Sequence, residues 1–153
     1  MLTMLTRSTP LLLVAALLSA CATTSGGAGG KSSGKGVGPE VRAVERWDLL
    51  IARKAEVAYD YLSPGKRATE KREDYAKAMN NRPIRWEKVS LYSKKCEKES
   101  SCTIALQVDV SVPSAGVGGM APAVGFVEET WIRADNGVWY FLPPAGGTEP
   151  VAR

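Results

Sequence analysis

The chain of 153 residues has no histidine and three cysteines. Without an imidazole, Ser-His-Asp catalysis, Cys-His catalysis and histidine-held metal chemistry are excluded together. Two thiols with no histidine beside them make a poor metal site, so no metal and no cofactor is expected. Acid–base work is left to carboxylates and phenols. Asp109 lies in the middle of an alternating segment, opposite its aliphatic side, and a carboxylate there needs burial and a donor such as Tyr59 or Tyr61 to become a proton-abstracting base. The same alternation groups Asp109 with Thr103, Gln107 and Ser111, which is more simply a solvated face. Trp131 shares a strand parity with Glu129 and Arg133, a set able to line a pocket for an apolar ligand. Trp86, Trp131, Trp139, Tyr140 and Phe141 more commonly serve as core and cross-strand partners.

The first cysteine, Cys21, belongs to an address rather than a site. One positive charge, Arg7, precedes an apolar run from Leu11 to Leu18, and small residues lead up to Cys21, the pattern of a secretory signal. Eight residues in a helix reach about 12 Å, well short of a bilayer core of about 30 Å, so the run is no lasting membrane span. Leu18-Ser19-Ala20-Cys21 resembles the lipobox of bacterial lipoproteins. That resemblance implies cleavage before Cys21 and acylation of it, hence a membrane lipid partner held by several chains. Ala22 in place of an inner-membrane retention Asp implies the outer membrane, facing the periplasm. An oxidising compartment then favours a disulfide between Cys96 and Cys102, which flank the charged segment Glu97-Lys98-Glu99-Ser100-Ser101 between two candidate strands. A ring of this size stabilises by roughly 2 kcal/mol in the loop-entropy account.

Residues 1–20 thus read as signal peptide and 21–38 as lipidated cysteine plus a Gly/Ser-rich tether that cannot bury a core. The tether from Ala22 to Pro39 has a stretched limit near 60 Å. Residues 39–153 suit one small domain. The formal charge of +4 includes Arg7 and becomes +3 on its removal, too mild for a nucleic-acid surface. Val41, Val44, Trp47, Ile51, Ala55, Ala58 and Leu62 recur at helical spacing and predict one helix of about 23 residues, with Arg42 and Arg46 among its solvent-side residues. Ser63-Pro64-Gly65 stops it, and a second helix runs from about Thr69, its N-cap, to Met79. After Pro83 the period becomes two, with strands at 85–96, 102–112, 124–133 and 138–142. Asp135-Asn136-Gly137 suits a tight hairpin, and Pro113 to Ala123 reads as a long loop carrying Val117 and Met120. Helices followed by consecutive strands mean α+β.

The long first helix ending Tyr59-Asp60-Tyr61-Leu62-Ser63-Pro64, the short second helix, four strands and the closing Glu128-Glu129-Thr130-Trp131-Ile132-Arg133 with Gly137-Val138-Trp139-Tyr140-Phe141 resemble the nuclear-transport-factor-like superfamily, which includes ketosteroid isomerase and scytalone dehydratase relatives. The resemblance implies a cone-like fold, with a curved antiparallel four-stranded sheet wrapped on N-terminal helices and a pocket at the mouth. It does not choose a function, because such a fold carries enzymes, binders and dimerisers alike. The leading expectation is a non-catalytic, membrane-anchored domain that binds an envelope protein partner or a small apolar ligand. The alternatives are a histidine-free lyase or isomerase using Asp109 with a tyrosine, and a scaffold that homodimerises through the open sheet face.

Overall fold

The computed structural model describes residues 34–114 and 118–145. Cys21, Lys31, Val117 and the tail Val151-Ala152-Arg153 lie outside them. Helix α1, Pro39–Ile51, opens with proline at its first turn, where the missing N–H costs nothing. It ends after 13 residues instead of 23. Arg53 takes a left-handed backbone with φ of 57°, Lys54 N–H donates to the Leu49 carbonyl at 2.8 Å, and Arg53 N–H donates to that of Leu50 at 3.1 Å. These two bonds are a Schellman stop. Glycine is its usual sequence mark, and arginine stands there here. The buried face is also rotated from the expected stripe. Val41 is 47% exposed, whereas Arg42, Ala43, Arg46, Trp47 and Leu50 are buried.

Helix α2, Ala55–Ala58, leads into a 3₁₀ turn at Tyr59–Tyr61. Ser63 and Pro64, expected to stop a helix, start one: the Ser63 hydroxyl accepts from Lys66 N–H at 3.3 Å, with Pro64 at N1 of α3, Pro64–Thr69. Thr69 is therefore the last residue of α3 and not an N-cap. Helix α4, Arg72–Asn80, begins after Lys71 and ends at the expected asparagines. Among the described residues no helix is long and apolar enough to cross a membrane.

The four strands, β1 Arg85–Lys98, β2 Ser101–Pro113, β3 Met120–Arg133 and β4 Trp139–Leu142, form one antiparallel sheet in sequence order. Helices packed on this sheet make the chain α+β. Met120 to Ala123, expected in a loop, pair with Pro113 to Val110 as strand. The charged segment between the cysteines is likewise mostly strand, which places Cys96 directly across from Cys102, and the two form a disulfide. Gly137 at φ of 78° and the Asn136 side chain, which accepts from Val138 N–H at 3.0 Å, close the expected β3–β4 hairpin. Along β2, Ile104, Leu106, Val108 and Val110 enter the core with Trp131, Phe141, Trp47, Leu50 and Leu62. Truncating one of these large side chains would cost about 3–5 kcal/mol.

The two edge strands are guarded, although β4 pairs only with Thr130 to Arg133 of β3. β4 is covered by Leu62 bridging Phe141 and by Lys35 bridging Val138. β1 carries register shifts at Trp86/Lys88, Leu91/Ser93 and Cys96/Lys98, together with four lysines, a combination that discourages strand addition. The Lys35 bridge also means that Gly34 to Gly38, expected in the tether, lie on the domain. Gly34 is buried at φ of 68°, and a Cβ there would stand 2.2 Å from an Arg42 guanidinium nitrogen.

Candidate functional site

Inside the cone a carboxylate is held by three donors. Glu129, on the core parity of β3, accepts at Oε1 from Arg46 at 2.7 Å and Trp47 Nε1 at 2.8 Å, and at Oε2 from Trp131 Nε1 at 2.9 Å. Arg46 donates in addition to the Tyr75 hydroxyl at 3.1 Å and stacks 4.2 Å from the Phe141 ring centre. The Arg46 and Glu129 side chains are 0% and 1% exposed. Burial alone would lower the guanidinium pKa, but Tyr75 and Glu129 more than offset it and leave the value raised. Three of about four acceptor positions on the carboxylate are taken by the chain itself. Such a group holds a helix to a sheet.

The Asp109 base and its tyrosine donors are not assembled. Asp109 faces away from the core on β2, where the Gln107 amide donates to it at 3.4 Å. Tyr59 donates to the carbonyls of Arg67 at 3.0 Å and Glu70 at 2.5 Å. Tyr61 donates to Glu45 at 3.1 Å beneath the Arg42 guanidinium, 4.5 Å from its ring centre. Burial first and then the Glu45 carboxylate push the Tyr61 pKa up to about 12, which makes it a persistent donor and not an acid for catalysis near neutrality. The ligand-lining set is divided as well. Trp131 and Glu129 are sealed inside, whereas Arg133 is exposed at the strand end.

What stays open is the other side of the sheet. Tyr92, 66% exposed in the β1 bulge, meets Phe126 of β3 edge-on at 5.0 Å between ring centres. Phe126 is 48% exposed and Val124 57%. Ala105 shares this face and stands outside the core cluster. Next to the apolar strip runs an open groove of about 520 Å³ lined in part by Glu87, Gln107, Asp109, Ser111, Pro122 and Val124. The Ser111 hydroxyl donates to Glu87 there at 3.0 Å. A solvated face for Asp109, Gln107 and Ser111 is thus what β2 presents, but an aromatic strip crosses it.

Sequence reasoning missed Arg46 as the partner of Glu129, and missed Tyr92 and Phe126 altogether. The first had a signal: a carboxylate between Val127 and Trp131 at core parity demands a buried cation. The second had a fainter one, since Val124 and Phe126 fall on the parity of Glu128 and Thr130. Nothing marked Tyr92, because only the bulge turns it outward.

No protein-family profile matches the chain, and no curated protein matches it. Solved structures do. A ketosteroid isomerase-like protein from Erwinia carotovora atroseptica superposes with a TM-score of 0.52 at 9% identity, over 67% of this chain and 86% of that one. A protein from Catenulispora acidiphila gives 0.46 at 16% identity over 67% and 83%. An Ntf2-like protein involved in plasmid conjugation gives 0.37 at 15% identity over 71% and 51%. The first of these supports the nuclear-transport-factor-like cone expected from the order of elements, and at such identity the likeness is one of fold alone.

Proposed function

We propose that the chain is a lipoprotein tethered through acylated Cys21 to the outer membrane, where its periplasm-facing cone works as a protein-docking domain through the outer face of the sheet. The observation that carries the docking reading is the exposed Tyr92–Phe126–Val124 strip on a sheet whose inner face holds the buried Glu129 carboxylate in ion-paired, hydrogen-bonded form. Exposed aromatics grouped in one patch and rimmed by polar residues are what protein interfaces use. The tether reading rests on the lipobox and on the composition of Ala22 to Ser33. With Gly34 seated on the domain, 12 residues remain, a reach of roughly 40 Å at full stretch.

Two experiments test the two halves. Replacing Cys21 with Ser should abolish fatty-acid labelling and release the chain from membranes; unchanged fractionation would contradict the anchor. A photo-crosslinking residue at Val124 should give protein adducts in cells where the same residue at Glu73, exposed on α4, gives none. Equal yields from both positions, or none from Val124, would contradict the docking face.

A further inference from the structure

We infer that the protein docked on the outer face brings a basic side chain, arginine or lysine, into the groove beside the aromatic strip, next to an apolar residue that covers Val124 and Phe126; this rests on the docking reading above. Strip and groove are one continuous surface. Val124 belongs to both and pairs with Asp109, while Phe126 pairs with Gln107, which lines the groove. A segment lying on the Phe126 ring therefore carries its neighbouring side chains over the carboxylates of Glu87 and Asp109.

The treatment of other carboxylates in the chain sets these two apart. Glu129 meets Arg46 at 2.7 Å, Asp60 meets Arg72 at 2.6 Å, Glu40 meets Lys94 at 2.8 Å and Glu70 meets Lys66 at 3.2 Å. Glu87 and Asp109 have neutral donors instead, the Ser111 hydroxyl at 3.0 Å and the Gln107 amide at 3.4 Å. Lys88 stands opposite Asp109 in the β1–β2 register, yet among the described residues no cation reaches ion-pair distance of either carboxylate. A carboxylate has about four acceptor positions, so one neutral donor leaves most of them open to the groove. Two such groups on one wall attract a cation and repel an acid. Lysine and arginine also carry an aliphatic stem, and Pro122 and Val124 line the same groove to cover it.

The photo-crosslinking residue at Val124, in the full-length chain in cells, tests this. Glu87→Gln with Asp109→Asn should lower the adduct yield about tenfold. Lys88→Gln, which removes the competing cation, should raise it about twofold, a gain that a purely architectural role for these surface residues does not produce. Mass spectrometry of the digested adduct should find lysine or arginine within about two residues of the crosslinked position, the spacing of side chains on one face of an extended segment. An unchanged yield in the Glu87→Gln/Asp109→Asn chain, a partner segment without a basic residue, or adducts made only with a second copy of this chain would overturn the basic partner while leaving the docking face standing. No adduct from Val124 in the otherwise unaltered chain would overturn both.

Discussion

On β3, neighbouring residues meet opposite fates. Glu129 is 1% exposed among three donors, while Phe126, three residues earlier, is 48% exposed on the reverse side. The charge is inside and the aromatic ring is outside, the reverse of what transfer energies favour for each alone. The inner arrangement is explained by its partners: a carboxylate, a guanidinium and two indoles satisfy one another and tie α1 to β3. Among the described residues, nothing encloses the outer one as the donors enclose Glu129.

The contrast can be broken most severely from within. Glu129→Ala strands the Arg46 charge in the core and should cost about 3–5 kcal/mol of unfolding free energy, read by urea denaturation. Opening the β1–β2 bridge with Cys96→Ser should cost about 2 kcal/mol in the same measurement, without altering the adduct from position 124. Gly34→Ala should cost about 1–2 kcal/mol, because a left-handed residue acquires a side chain and Arg42 must move to admit it. Glu40 offers a milder probe. Burial works to raise its pKa, but the hydrogen bond from Lys94 at 2.8 Å and its charge prevail and hold it low. Its contribution is therefore present at neutral pH and lost as pH falls through the carboxylate range. Glu40→Gln should cost about 0.5 kcal/mol at pH 7 and nothing near pH 3. Phe126→Asp should change stability least, by no more than about 0.5 kcal/mol, while lowering the adduct yield from position 124 about thirtyfold.

The sequence carried the α+β order, the four strands, the Asn136-Gly137 hairpin and the cysteine pairing, because period-two alternation, turn residues and facing thiols are local signals. It misread α1 for a physical reason. Arg42 and Arg46 look like solvent residues until their partners, the Trp139 carbonyl at 2.7 Å and Glu129, arrive from 97 and 83 residues away. The Arg53 stop was hidden because arginine filled a glycine position. Ser63-Pro64 was ambiguous, since the same pair ends one helix and caps the next. For the site, the outward parity of Asp109 was legible and the Asp109–tyrosine constellation was not realised, as Tyr59 and Tyr61 spend their hydroxyls on backbone carbonyls and Glu45. The aromatic strip depends on a bulge, which no periodicity encodes.

The most direct test compares crosslinking from position 124 in the wild-type chain and in Phe126→Asp, at matched urea midpoints. The yield should fall about thirtyfold while the fold is kept. An undiminished yield in a stably folded Phe126→Asp chain would contradict the claim that the outer sheet face is where this protein works.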